Sequence, residues 1–229
     1  MQHDQFIPEL TAHIVAVAKE RDGKAPSERE LADHFGVSRG QIREALAILE
    51  AVRVIERRAK SGIYLTPEGT GLETLAFYAQ AGIPLERRQV FEAVEVRKIH
   101  EIKAAEIAAE RATTENFDRL RDLLAQSEER IKDGTGLAEI DHAFHLEIVR
   151  ATQNSIFYEI CSTFYRLSRQ RLPVYFDKPE RNAQSHAEHQ QIFDALYRRD
   201  SELAKALMQS HLRGALSYWT ELLDTSGSS

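Results

Sequence analysis

A mainly α-helical chain in two parts, a small winged helix-turn-helix followed by an all-helical bundle, is what this sequence predicts, and three observations predict it. Apolar residues recur with the helical period along most of the 229 residues. The only strand-like stretches are Val54-Ile55-Glu56-Arg57-Arg58 and Ile63-Tyr64-Leu65, joined by Ala59-Lys60-Ser61-Gly62. Proline and glycine gather between long helical segments at one place, Thr66-Pro67-Glu68-Gly69-Thr70-Gly71. The expected organisation is a winged helix-turn-helix of three helices and a two-stranded wing over 1–67, a linker over 68–72, and a bundle of six or seven helices over 73–229.

The first helix is expected from about Pro8, which a first turn tolerates, to Arg21, burying Leu10, Ile14, Val15 and Ala18. Asp22-Gly23-Lys24-Ala25-Pro26 ends it. Ser27 caps a second helix, with Glu30 as its capping-box partner, and that helix buries Leu31, Ala32 and Phe35 before stopping at Gly36. Ser38 then caps a third helix whose apolar face is Ile42, Ala45, Leu46 and Leu49. This is the pattern of a helix-turn-helix. Arg39 and Arg43, four apart, share one face at the N-terminal end of that third helix, the end that reaches base edges and phosphates in docked proteins of this kind. The basic hairpin behind it reads as a wing. Beyond the linker, helices are expected near 72–81, 86–111, 114–132, 137–152, 155–175, 181–198 and 201–224, with Thr114 and Asp200 as N-caps.

Composition excludes several classes. No apolar run approaches the roughly 20 residues that span a bilayer, and MQHDQFIPEL has neither a basic nor an apolar signal region. A single cysteine, Cys161, excludes an internal disulfide and a cysteine-rich zinc site. The expected compartment is the cytoplasm, with no membrane partner. The net charge of −6 argues against nucleic acid only when taken whole: residues 1–67 carry ten Lys/Arg and ten Asp/Glu, so the whole acidic excess lies beyond them. Within 36–67, six basic residues face three acidic ones. Local sign decides whether a phosphate backbone is attracted.

PSERELADHFGVSRGQIREALAILE, followed by the basic hairpin, resembles the winged helix-turn-helix of the GntR family of bacterial transcription regulators. The resemblance implies a DNA-binding surface of Arg29, Ser38, Arg39, Gly40 and Arg43 with Lys60 and Gly62 on the wing. For Arg29 the alternative is a helix-face salt bridge with Asp33. One departure stands out: the family usually has a glycine between the third helix and the first wing strand, where this chain has Ala51-Val52-Arg53-Val54.

In the bundle, Asp141 and His145 lie four apart on one helical face, while His189 and His211 fall on two later helices among apolar neighbours. On spacing alone these are either a shared metal site or core histidines satisfied by other groups. AEIDHAFHLEIVRATQN, SHAEHQQIFDALYRRD and ALMQSHL resemble the FCD effector domain of the FadR branch of GntR regulators. That resemblance implies a divalent metal held by Asp141, His145, His189 and His211: zinc, with nickel, iron or manganese as alternatives. It also implies that Arg97 clamps an acidic effector, the alternative being a surface salt bridge with Glu101. His100, which departs from the usual apolar residue at its place, either lines the effector pocket or faces solvent, and Tyr165 and Arg169 are further candidates for that effector site, while His142 and His186 have no counterpart in the family pattern.

The resulting expectation is a cytoplasmic, homodimeric regulator, a repressor, that binds a palindromic double-stranded operator and responds to a small carboxylate at a metal site. Two other classes are weighed against it. The metal could itself be the signal or be structural, with no organic effector; or the site could be a metal-dependent hydrolase, against which no further Glu or His stands in a base position beside a ligand.

Overall fold

The computed structural model describes residues 3–66, 71–81, 83, 87–168 and 175–225. The chain separates into two compact units, Met1–Leu85 and Glu86–Ser229. The first holds α1 (His3–Glu20), α2 (Glu28–Phe35), α3 (Arg39–Ala51), β1 (Ile55–Arg58), β2 (Gly62–Leu65) and α4 (Leu72–Gln80). The second holds α5 (Arg87–Arg111), α6 (Thr114–Lys132), α7 (Ala138–Arg150), α8 (Ser155–Ser168), α9 (Pro179–Tyr197) and α10 (Ser201–Thr225). The mainly helical class with a two-stranded wing is as expected.

Local chemistry sets the edges of the first unit. Ser27 and Ser38 both close capping boxes, with Glu30 and Gln41 respectively, and Gly36 ends α2 in the left-handed conformation at φ 64°. Leu10 and Ile14 of α1, Leu31 of α2 and Ile42, Leu46 and Leu49 of α3 are fully buried against one another, and Ile55 and Ile63 bring the wing onto the same core. In the wing, Ile55 pairs with Leu65 and Arg58 with Gly62, antiparallel. The chain leaving α1 extends this sheet: Ala25 N donates to Ile63 O (2.9 Å) and Leu65 N to Gly23 O (2.8 Å).

Three expectations are corrected here. The first helix starts at His3 rather than near Pro8, which lies inside it. Pro8 removes one hydrogen bond near a helix end, and Phe6, buried edge-to-face on Phe35 with ring centroids 5.7 Å apart, anchors the extra turn. Thr113, not Thr114, caps α6, because its hydroxyl accepts from Asn116 N while the Asn116 side chain returns to Thr113 N. The second compact unit begins later than residue 73. Thr74 Oγ1 donates to Val52 O (2.8 Å), and Phe77 and Tyr78 of α4 pack against the winged-helix core, so α4, although it follows the proline–glycine run, belongs to the packing of the first unit. Residues 68–70 of the expected linker lie outside the described residues.

In the second unit α5 is the central helix, packed by α7, α8, α9 and α10. Its Ala104, Ala105, Ala108, Ala109 and Ala112 are almost wholly buried, and small side chains let Ala204 and Met208 of α10 approach closely. Arg199 finishes α5 by donating to Ala109 O (3.2 Å) and Ala112 O (2.7 Å), two of the carbonyls a helix end leaves unpaired.

The family's missing glycine has a physical counterpart. Arg53 takes up the left-handed backbone, φ 56°, between α3 and β1, with its side chain exposed. A non-glycine residue there is strained by about 1 kcal/mol. Arg53→Gly is therefore expected to stabilise the protein by up to ~1 kcal/mol, and Arg53→Ala to give no gain, as read by denaturant unfolding of both variants.

Candidate functional site

In the first unit, capping by Ser38 fixes the start of α3, and Arg39 and Arg43 project from it, 61% and 59% exposed. A concave groove of about 830 Å³ runs from this point to the wing. Among the described residues seven cationic ones line it, Arg29 and Arg39, Arg57, Arg58 and Lys60 of the hairpin, and Arg21 and Lys24, against Glu28 and Glu30. Its sign suits a phosphate backbone. Arg29 is exposed and, among the described residues, makes no ion pair, so the alternative bridge to Asp33 is not formed. A Cβ at Gly40 would meet only Ser38 Oγ at 3.7 Å, so nothing inside the chain requires glycine there. Gly62 differs, since its φ of 127° is one that other residues rarely adopt, and Lys60 beside it is also left-handed at φ 61°. Arg58 stacks over the Tyr64 ring at 4.2 Å, which stiffens the hairpin tip.

The bundle brings Asp141, His145, His189 and His211 together, with one ligand atom from each lying within 4.8 Å of the others. Asp141 and His145 share a face of α7, His189 comes from α9 and His211 from α10. The three Nε2 atoms are 3.1 Å (His145–His211), 3.3 Å (His145–His189) and 3.3 Å (His189–His211) apart. Asp141 Oδ1 lies 3.4 Å from His189 Nε2 and 3.7 Å from His145 Nε2. Donors on a tetrahedral ion with bonds of about 2.0–2.1 Å stand roughly 3.3 Å apart, so the spacing fits a small divalent cation.

The outer ring nitrogens sharpen this. His211 Nδ1 is hydrogen-bonded to Glu188 Oε2 (2.6 Å), and His145 Nδ1 lies 2.7 Å from Glu101 Oε2. The Glu188 carboxylate on Nδ1 favours the His211 tautomer whose Nε2 lone pair points inward, whereas the contact of His145 with Glu101 is a close ion-pair distance without hydrogen-bond geometry. Ser185 Oγ donates to Asp141 Oδ1 (3.2 Å). Burial, with help from His211, pushes His189 well below its ordinary pKa, so it is neutral. Burial also disfavours charge on His145, but Glu101 and Asp141 overturn that and raise it to about 9. One proton on His145 can bridge one neighbour at a time; a cation at the centre satisfies all three nitrogens and the carboxylate.

Arg97 is not on the surface. It is ion-paired with Glu101 in the interior, the two side chains 11% and 2% exposed, and its guanidinium sits 4.7 Å over the Tyr165 ring. Burial opposes charge on both, yet each holds the other ionised, Arg97 above its usual range and Glu101 below. Glu101 thereby joins two expected sites, with one oxygen on Arg97 and the other on His145. Tyr165 is buried, and His142 stacks on its ring at 4.9 Å and 14°. His100 lies between Phe157 and Phe164, with centroids 5.6 and 5.5 Å away, and His186 Nδ1 meets Ser127 Oγ at 3.0 Å. Arg169 lies outside the described residues. Sequence reading missed Glu188 and Ser185 altogether and took Glu101 only as a local partner of Arg97. A carboxylate next to a ligand histidine, as in His186-Ala187-Glu188-His189, was the available signal for Glu188.

Comparison with known proteins follows the same division. Residues 4–65 match the bacterial regulatory proteins of the gntR family, and residues 92–214 match the FCD domain. The HTH-type transcriptional regulator LutR of Bacillus subtilis is 30% identical over 82% of this chain and 88% of its own length. The galactonate operon transcriptional repressor of Escherichia coli is 27% identical over 88% of this chain and 90% of its own. Among solved structures, Lar, which controls expression of the Listeria monocytogenes agr system, shares the fold with a TM-score of 0.70 at 18% identity, covering 97% of this chain and 98% of its own.

Glu188→Gln, which keeps size and removes the charge on His211 Nδ1, is expected to weaken metal retention about 10- to 100-fold without unfolding the bundle. Competition against a chromogenic chelator measures it; unchanged retention removes Glu188 from the site.

Proposed function

The chain belongs to the GntR family of bacterial regulatory proteins and carries an FCD domain, and on that premise we propose that it is a repressor released from its operator when a small organic acid binds at a metal site in the helical unit. It is a DNA-binding transcription regulator rather than an enzyme. The observation that carries the finer reading is the convergence of three imidazole nitrogens and one carboxylate oxygen, joined through Glu101 to a buried arginine.

Asp141, His145, His189 and His211 would hold a divalent transition metal, with zinc preferred and nickel, iron or manganese suited to the same donors. With its coordination expanded beyond the four protein donors, a metal held there would accept a carboxylate oxygen as a further ligand. Arg97 presents a guanidinium fork, which matches a second carboxylate oxygen in geometry and charge. An acid that engages Arg97 competes with Glu101 for it, while the other Glu101 oxygen stays at His145. Acid occupancy and ligand placement are thus linked through one side chain. Tyr165 and His100 belong to the same effector surface, Tyr165 through its contact with Arg97. The DNA-binding set is Arg29, Ser38, Arg39, Gly40 and Arg43 with Lys60 and Gly62, and a two-fold homodimer on a palindrome doubles its contacts. Release on binding is the sign proposed, and the name of the galactonate operon repressor supports repression. The compartment proposed is the cytoplasm.

One observation favours a second reading, in which the metal alone is the signal: Arg97 already has a carboxylate partner in Glu101. Elemental analysis of the purified protein, with thermal shifts across mono-, di- and hydroxycarboxylic acids and operator release as readouts, separates the two. About one transition metal per chain, and an acid class that stabilises the protein and releases DNA only when metal is loaded, is the expected result. His189→Ala is expected to lose metal and response together while keeping DNA binding. Release by metal with no acid effect would favour the second reading.

Arg97→Ala is expected to weaken acid binding by at least about tenfold, from loss of a charge-assisted contact, with metal content retained. Calorimetric titration of the loaded variant tests this, and an unaltered acid affinity would return Arg97 to a purely structural pairing.

A further inference from the structure

Glu28 stands in the first turn of α2 and reaches across to the start of α3, where its Oε2 lies 3.7 Å from Arg39 Nη2 and 3.4 Å from Arg43 Nε. One oxygen therefore serves both arginines that head the DNA-facing helix. Neither contact is a hydrogen bond: both separations exceed the ordinary N–H···O range, so the donor capacity of each guanidinium is left for other acceptors. The Glu28 side chain is only 23% exposed while its partners are mostly exposed, so the carboxylate is the fixed member and the arginines are the mobile ones.

The placement is unfavourable for DNA binding as such. Among the described residues, Glu28 is one of two carboxylates lining a groove of seven cations, and the other, Glu30, is engaged by the Ser27 cap and by Arg21. A negative charge in that groove repels every phosphate backbone brought against it. It also gives Arg39 and Arg43 an alternative partner that a nucleic acid must displace. Exposed ion pairs of this geometry are weak, so a paired contact to a base edge displaces Glu28, whereas a phosphate met in arbitrary register competes with it on nearly even terms. Two cations one turn apart at a helix N-terminus also repel each other and the helix dipole, and the shared carboxylate holds both in one orientation before DNA arrives.

We propose that Glu28 is a specificity-determining and positioning residue of the DNA-binding surface: it holds Arg39 and Arg43 together and penalises non-specific duplex more than the operator. The inference rests on the assignment of Arg39 and Arg43 to the DNA-contacting surface. Its mechanism is discrimination by a repulsive element, in which the wrong partner is weakened more than the right one.

The test compares the full-length protein and Glu28→Gln on two duplexes of equal length, one selected from a random library by the wild-type protein and one of scrambled sequence, across a salt series. The variant is expected to bind the scrambled duplex about three- to tenfold more tightly, with a salt dependence steeper by roughly one unit in the log–log slope. Affinity for the selected duplex is expected to stay level or fall, so the ratio of the two affinities drops. Equal changes on both duplexes, no change on either, or a larger ratio would overturn the proposal. Glu28→Asp keeps the charge but shortens the reach, and it is expected to retain the weak scrambled binding while losing part of the selected affinity; matching Glu28→Gln instead would also overturn it. Melting curves of both variants identify any loss of α2 stability. Arg43→Ala tests the underlying assignment separately: unchanged binding to the selected duplex would remove that arginine from the surface and fail the premise rather than the role of Glu28.

Discussion

Burying ionic groups inside a helical bundle is the constraint around which the second unit is arranged. Arg97, Glu101, Asp141, His145 and His189 all lie in its interior, and a charge taken from water without a partner costs several kcal/mol. These groups are answered by others nearby, most of them on a different element. Glu101 answers Arg97 on its own helix and His145 on α7, Ser185 of α9 answers Asp141, and Glu188 of α9 answers His211 on α10. Four helices must therefore hold their relative depth and rotation for the network to close. Removing one member of the Arg97–Glu101 pair would cost roughly 3–5 kcal/mol, because the survivor stays buried.

The apolar packing supplies that rigidity. The alanine face of α5 brings α10 close, and the fully buried Phe144, Ile148 and Ile192 fix α7 and α9 around the polar centre. Phe144 also stacks on the His189 ring, with centroids 4.2 Å apart at 12°, so a core residue directly orients one of the four donors. Polar network and core are thus one assembly. An effector that acts at Arg97 would meet a pair already made, which gives any response the character of exchange between partners rather than the filling of a vacant charge.

The first unit is held on a different principle. Its elements are short, and its order comes from capping boxes at Ser27 and Ser38, left-handed turns at Gly36, Arg53 and Lys60, and a single small core. These devices act within a few residues, so they are written locally in the sequence. The same locality leaves the surface cations mobile, and Glu28 is the cross-helix contact that gathers two of them.

From the sequence alone came the helices, both serine caps, the glycine turn, the wing and the i, i+4 placement of Asp141 and His145, because each depends on period or spacing within one element. The resemblance to known families made a metal the expected reading of the four-residue set, where spacing had left two readings open, and supplied the candidate roles of Arg29 and Arg97. What the sequence misjudged was also local in cause: Pro8 and Thr114 were read by their intrinsic preferences, while Phe6 and Asn116 decided where the helices start. Only the tertiary structure could decide that Arg97 pairs with Glu101 in the interior rather than on the surface. It alone could show that Glu101 also reaches His145, that α4 covers the first core, and that three imidazoles meet although His145 and His211 are 66 residues apart. The reason is physical. A helical period states which face a residue occupies, but depth, partner and charge environment depend on what other helices bring to that face, and no single segment contains that information.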